Sequence, residues 1–198
     1  STFIHSGIPS LLNTAYNRSN VLTVIADNRT TAMTGMQQHP GTGLTLQGEK
    51  TVELNFETLA KSLGIPNVRV VDPYDLKGTR AAVREEIGKP GPSLIISRAP
   101  CVLLNRGAAR KRPFKVVEEK CAGCKLCLGL GCPPISWKKY PAATERMLEG
   151  KPKKVEGAAV IDTSLCTGCS LCEQVCNYGA IVEVGATGTS NPSTKKSA

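Results

Sequence analysis

Eight of the nine cysteines in this 198-residue chain fall into two short runs. The first is Cys121-x2-Cys124-x2-Cys127-x4-Cys132, followed by Pro133; the second is Cys166-x2-Cys169-x2-Cys172-x3-Cys176. Three thiolates at two-residue intervals can wrap a single iron–sulfur cubane. A structural zinc site takes two pairs of ligands, which would leave a third cysteine over in each run. A disulfide scaffold is usually a small secreted domain, whereas these cysteines occupy one part of a longer chain. The spacing therefore points to iron–sulfur chemistry. Cys101 stands outside both runs and is expected to be a buried small hydrophobe.

The paired runs resemble those of two-cluster ferredoxins, in which the remote fourth cysteine of each run ligates the other cluster. The resemblance implies that Cys121, Cys124, Cys127 and Cys176 hold one [4Fe–4S] cluster, and Cys132, Cys166, Cys169 and Cys172 the second. The flanking residues repeat as well. Val116-Val-Glu-Glu-Lys-Cys121 and Val160-Ile-Asp-Thr-Ser-Leu-Cys166 each lead a short strand into a cysteine loop. The first copy carries an insertion at 134–157 with Trp137 and Tyr140, expected to be a surface excursion, with a cluster cover or a contact to another subunit as alternatives. Two departures from the simple pattern matter: four residues rather than three precede Cys132, and Asn177 follows Cys176 where the pattern has proline. Both could change hydrogen bonding and solvent access at a cluster.

Ahead of the cysteines, helical and strand periodicities alternate. Ile8, Leu11, Leu12, Ala15 and Tyr16 share one helical face, with Pro9 in the first turn, where its missing N–H costs nothing. Residues 21–26 form a nearly continuous apolar run, as a strand buried on both faces requires. Phe56, Leu59, Ala60 and Leu63 predict a second helix stopped by Gly64 and Pro66. Residues 68–71 predict a strand, 75–87 a helix with Leu76, Val83 and Ile87 inward, and 93–97 another strand. Such alternation implies an α/β domain with a mostly parallel sheet. A long segment at 27–55, with Gly35, Gly41, Gly43 and Gly48, leaves the carboxyl end of the first strand, where open α/β sheets bind ligands. The expected organisation is an α/β domain at 1–104, a basic linker at 105–115, a small α+β cysteine domain at 116–185 and a disordered tail at 186–198.

The net charge is +9, concentrated before the first cysteine run and within the insertion. No stacking-aromatic or nucleic-acid motif accompanies it, so the expectation is a solvated face or a docking face for an acidic redox partner, not nucleic acid. The apolar stretches are too short to span a bilayer and no signal peptide is visible. Reduced, cluster-forming thiols then predict a cytoplasmic protein, of an anaerobe. Because the chain opens at Ser1 in mid-pattern, it reads as a fragment of a longer polypeptide.

Asp27-Asn-Arg-Thr-Thr-Ala-Met-Thr-Gly-Met-Gln37, directly after a strand, resembles the closing half of the thiamine diphosphate motif. Its opening half begins Gly-Asp-Gly or Gly-Asp-Ser, and Ser1 looks like that third residue. Together with the Ser1-Thr-Phe-Ile-His-Ser-Gly-Ile-Pro9 opening and the double cysteine run, the chain is similar to the 2-oxoacid:ferredoxin oxidoreductases, and among them to the alpha subunit of the indolepyruvate branch. The resemblance implies thiamine diphosphate held through Mg²⁺, a hard cation that takes oxygen ligands, with Asn28 supplying an amide oxygen and Thr30 a backbone carbonyl. Gly35 belongs to the same cofactor-binding segment. His5 and His39 are weak candidates near the reacting atoms, with no acid–base role assigned. The implied activity is oxidative decarboxylation of an aryl pyruvate to the acyl-coenzyme A and CO₂. Electrons would pass through two [4Fe–4S] clusters to an external ferredoxin, with a smaller beta subunit completing the enzyme. The alternatives are another 2-oxoacid:ferredoxin oxidoreductase, or a ferredoxin-like electron carrier with a vestigial α/β domain.

Overall fold

Ser93, Leu94, Ile95 and Ile96 are almost wholly buried in succession. That burial follows from the place of strand β3 (Ser93–Arg98) between β1 (Leu22–Asp27) and β2 (Asn67–Val71) in a parallel sheet of order β1-β3-β2. The computed structural model describes residues 2–105 and 111–185, and the chain divides into two units, Ser1–Gly107 and Ala108–Ala198.

In the first unit Leu94 and Ile96 pack with Ile25, Ile65, Leu11 of helix α1 (Ile8–Tyr16), and Phe56 and Ala60 of α2 (Phe56–Ser62). Phe3 meets Phe56 edge-on at 5.6 Å between ring centroids. Strand alternation turns Ile95 to the opposite face, and α3 (Leu76–Ile87) packs against β2 and β3. Side-chain caps set two helix starts: Asn55 Oδ1 accepts from Thr58 N–H at 2.7 Å, and Asp75 Oδ1 from Gly78 N–H at 2.9 Å. The α/β domain expected from the periodicity is present.

Three expectations on burial need correction. β1 pairs only with β3 among the described residues, so Val24 is 54 % exposed where burial on both faces was expected. Along α1 only Leu11 is buried, while Leu12 and Tyr16 turn outward. In α3 the buried positions are Ala82 and Glu86, and Ile87 is exposed. The helix is rotated so that Glu86 reaches Lys89 Nζ at 2.7 Å and Arg69 Nε at 3.4 Å, an ionic pattern that hydrophobic periodicity does not register.

In the second unit the duplicated segments interlock. β4 (Phe114–Val116) pairs antiparallel with β7 (Ile181–Glu183), and β5 (Ile135–Leu148) with β6 (Lys151–Ile161). A short helix α4 (Leu171–Gln174) carries Cys172. Phe114, Ala159, Ile161 and Ile181 form a small core with Cys127 and Cys172. Strand β4 begins at Phe114, within residues expected to be linker; residues 106–110 and the tail expected to be disordered, 186–198, lie outside the described residues. The insertion at 134–157 is most of a long β-hairpin, with a register shift between Lys139 and Thr144.

Candidate cluster sites and cofactor cleft

Strand β1, from Thr23 to Asp27, and the loop that leaves its carboxyl end line a cleft of about 540 Å³. Asn28, Thr30, Thr31, Met33 and His39 line it, with Phe3 and Ile4 opposite. The chain leaves β1 through Arg29, which adopts φ +58°, so the loop turns back on itself at once. Asn28 Oδ1 accepts from Thr30 N–H at 3.4 Å, and the Asn28 carbonyl accepts from Cys101 N–H at 2.9 Å. Thr30 is buried and its hydroxyl donates to the Gln37 carbonyl at 3.4 Å.

An ionic lattice holds the start of this loop. Asp27, its side chain 1 % exposed, accepts from Arg98 Nε at 2.8 Å and from Arg29 N–H at 3.2 Å. Arg98 also forks onto both oxygens of Glu57 at 3.0 and 2.9 Å. That bidentate bond, more than any other influence, raises the Arg98 guanidinium and lowers the Glu57 carboxyl from their ordinary values. The register explains the pair: Asp27 and Arg98 are direct neighbours on adjacent parallel strands, though 71 positions apart in the chain.

The two histidines part company. His5 is exposed and is not among the residues lining the cleft, whereas His39 is buried and lines it. His39 Nδ1 accepts from Gly41 N–H at 3.1 Å, and burial lowers its pKa. Because Nδ1 accepts that bond, the ring's N–H is placed on Nε2, and burial favours the uncharged form. Gly35, at φ +112°, shapes the turn after Ala32–Thr34 and does not line the cleft. Cys101 is half-buried, not fully buried as expected.

In the second unit Cys121, Cys124, Cys127 and Cys176 line one cavity walled by Val116, Trp137, Ala159, Val175 and Ile181. Burial, then the neighbouring Cys121 and Cys124, raises the Cys127 thiol. The other four form a second neighbourhood. Cys172 is pushed up to about 12 by burial and then by Cys169 and Cys166, and those two also raise Cys132 after its own burial. Each group thus takes three cysteines of one run and the last of the other. No disulfide joins any of the nine. Among the described residues no three acidic, histidine or cysteine side chains gather as a single-ion site would need; a cubane spreads its thiolates over four irons. A sulfur-lined, largely apolar cavity fits such a cluster, whose irons would take the place of the thiol protons.

The loops share one backbone. Gly123 and Gly168 have φ +67° and +71°, and Lys125 and Ser170 have φ +60° and +64°. Backbone N–H groups reach the sulfurs: Phe114 to Cys166 Sγ at 3.5 Å and Ala180 to Cys176 Sγ at 3.3 Å. The hairpin adds contacts that spacing could not reveal. Arg146 Nη1 donates to the Cys121 carbonyl at 2.7 Å and Nη2 to the Tyr140 hydroxyl, which itself donates to Glu118 Oε1 at 2.6 Å. Trp137 and Tyr140 hinted at such a role in the sequence, but Arg146 carried no signal of its own. No helix among the described residues is long and apolar enough to cross a membrane.

Residues 1–97 match the family described as thiamine pyrophosphate enzyme, C-terminal TPP binding domain, and residues 159–182 match the 4Fe-4S binding domain. The second match covers the second cysteine run. The chain is 42 % identical over 186 residues to the indolepyruvate oxidoreductase subunit IorA of Thermococcus kodakarensis, and 41 % identical over 190 residues to that of Pyrococcus horikoshii. These alignments cover 91 % and 93 % of this chain but 26 % and 27 % of the relatives, so the chain spans about a quarter of their length. The IorA protein of Archaeoglobus fulgidus is 37 % identical over 186 residues, again 91 % of this chain and 27 % of the relative. The chain thus joins a parallel-sheet domain that matches the C-terminal TPP binding domain of thiamine pyrophosphate enzymes to a segment that matches a 4Fe-4S binding domain, and over some nine tenths of its length it is similar to the IorA subunits of indolepyruvate oxidoreductases.

Proposed function

We propose that the chain works within an enzyme that oxidatively decarboxylates an aryl pyruvate, indolepyruvate by preference, to the aryl-acetyl-coenzyme A and CO₂, and reduces an external ferredoxin. A smaller beta subunit completes it. The supporting observation is the presence in one chain of an oxygen-rich loop at the carboxyl edge of a parallel sheet and two interleaved groups of four cysteines.

In this reading the Asn28 amide oxygen and the Thr30 carbonyl would hold Mg²⁺, which would supply positive charge to the diphosphate of thiamine diphosphate. Bound thiamine diphosphate supplies the carbon nucleophile and electron sink of the decarboxylation, and two bound [4Fe–4S] clusters supply one-electron acceptors at low potential. The residues of the chain do the holding. Arg98 fixes Asp27 and so fixes the turn that presents Asn28. His39, locked by the Gly41 N–H, keeps an uncharged Nε2–H donor at the cleft. Trp137 walls the cavity in which Cys121, Cys124, Cys127 and Cys176 would hold a cluster.

The test is a substrate panel on the complete complex, prepared without oxygen, with ferredoxin as acceptor. Indolepyruvate should give the highest kcat/KM, ahead of phenylpyruvate and well ahead of pyruvate. A preference for pyruvate would assign another 2-oxoacid. A complex that retains no thiamine diphosphate would reduce the α/β domain to a vestige and overturn the reading.

A further inference from the structure

The two cysteine loops, alike in backbone, differ in what surrounds them. In the second loop, Gly168 lies under the incoming chain: a Cβ there would sit 2.7 Å from the Arg112 carbonyl oxygen and 2.7 Å from Lys111 Cβ. Cys169 is only partly accessible. In the first loop Cys124 is exposed, and Leu126 beside it is half exposed. Where the second loop has Ser170 the first has Lys125, whose Nζ stands 4.7 Å from the centre of the Trp137 ring. Trp137 in turn walls the cavity shared by Cys121, Cys124, Cys127 and Cys176.

The hairpin that supplies Trp137 also makes this side electropositive. It carries six Lys or Arg against three Glu, counting residues 135–161. Arg146 bonds the Cys121 carbonyl, and Lys153 Nζ lies 3.1 Å from the hydroxyl of Tyr178, another wall of the same cavity. Lys139, Lys151 and Lys154 are exposed. A cluster with four thiolate ligands is anionic, and an acidic partner would be repelled from it without such cations. Electron transfer also weakens steeply with distance, so the place where a cluster ligand reaches the surface is the place to leave.

We propose that the exposed edge formed by Cys124, Lys125 and the lysines of the β5–β6 hairpin is the docking surface for a small acidic one-electron carrier protein, which takes electrons from the cluster of Cys121, Cys124, Cys127 and Cys176. One electron passes from the reduced cluster to the oxidised carrier at each encounter, and no bond or proton moves. The inference rests on the oxidoreductase reading above, which already names a ferredoxin acceptor, and adds to it the cluster and the surface by which the electrons leave. Opposite charge supplies orientation and a fast, salt-sensitive encounter.

The experiment uses the full-length complex and a ferredoxin of strongly negative net charge, oxidised, so that binding is measured without turnover. Lys125→Glu and Lys151→Glu should each raise the Kd about tenfold at low salt, with the difference vanishing near 0.5 M salt. Leu165→Glu, which adds one negative charge beside the second loop where each Lys→Glu shifts the charge by two, should leave the Kd unchanged. Carbodiimide coupling of carrier carboxylates to lysines should join Lys125 or the hairpin. Lys151→Glu should keep the parent rate of 2-oxoacid oxidation with a viologen dye as acceptor. A Kd raised by Leu165→Glu and unmoved by Lys125→Glu would place docking at the other cluster; a Kd unmoved in all three would reject a charged docking face. Loss of dye-linked oxidation in the parent complex would instead reject the oxidoreductase reading, whatever the binding result.

Discussion

Adding one methyl group at Gly168 should cost more than adding it at Gly123, although the two glycines hold the same place in two copies of one loop. Both have left-handed φ angles, +71° and +67°, so alanine incurs about 1–2 kcal/mol at either. The surroundings then separate them. At Gly123 the new Cβ meets Val155 Cγ1 at 3.1 Å and the Gly157 carbonyl oxygen at 3.2 Å, tight contacts that a small shift relieves. At Gly168 it meets the Arg112 carbonyl oxygen and Lys111 Cβ, both at 2.7 Å, and backbone must move. Overpacking of that kind adds about 1–3 kcal/mol, for a total of about 2–5 kcal/mol at Gly168. The displaced segment leads into Phe114, whose N–H reaches Cys166 Sγ, so the damage should fall on the cluster of Cys132, Cys166, Cys169 and Cys172. The assay compares Gly168→Ala, Gly123→Ala and parent protein, all purified without oxygen, for iron per chain, for the magnetic spectrum of each cluster, and for the temperature at which iron is released. Gly168→Ala should lose one cluster selectively and release iron at the lowest temperature. Equal iron content and equal release temperatures in the two variants would refute the steric reasoning.

Cys132→Ala should abolish the cluster ligated by Cys166, Cys169 and Cys172 and spare the other; loss of the other instead, read by magnetic spectroscopy, would reverse the ligand grouping. Asn28→Ala in the full-length protein should weaken Mg²⁺–thiamine diphosphate retention at least tenfold, about 1.4 kcal/mol, with iron content unchanged; equal cofactor retention would remove Asn28 from the site. Arg98→Met leaves the buried Asp27 with only Arg29 and should destabilise the β1–β3 edge by about 2–4 kcal/mol, a discount on a fully buried pair because the Arg98 side chain is 30 % exposed. The Glu57 carboxyl is depressed by Arg98 below its ordinary 4.5, so its share of that stability is full above pH 4.5 and is lost as the pH falls through the folded-state value. Hydrogen exchange of β1 and β3 amides should therefore show the gap between parent and Arg98→Met narrowing in acid, and a pH-independent gap would rule out the Glu57 contribution.

Much of the first unit was legible because its signals are local. Ser93-Leu-Ile-Ile96 is apolar without a break after its serine, and the chain buries all four. Phe56 and Ala60 face inward as a period of 3.6 requires. The misreadings came where neighbours decided. Val21 to Ala26 looks as apolar as β3, yet β1 ends the described sheet and exposes Val24. Glu86 is buried because Arg69 and Lys89 reach it, which no count of hydrophobic positions anticipates. The hairpin was unreadable for a related reason: its charges come in adjacent pairs such as Lys138-Lys139 and Lys153-Lys154, which break a period of two, and its register shifts between Lys139 and Thr144.

Residue type and interval by themselves pointed to iron, through thiolates two positions apart; the reading of the Asp-Asn turn as a cation and diphosphate site came from the resemblance of the whole segment to the thiamine diphosphate motif. Intervals are short-range quantities, and a short loop closes on itself much the same way in any fold. What only the tertiary structure decided is asymmetry. Arg98 meets Asp27 through strand register, Arg146 and Trp137 meet the first cysteine loop through a hairpin, and residues 111–112 cover the second loop while Cys124 stays open. Contacts between positions far apart in the chain depend on how the whole backbone packs, and nothing in either neighbourhood of the sequence records it.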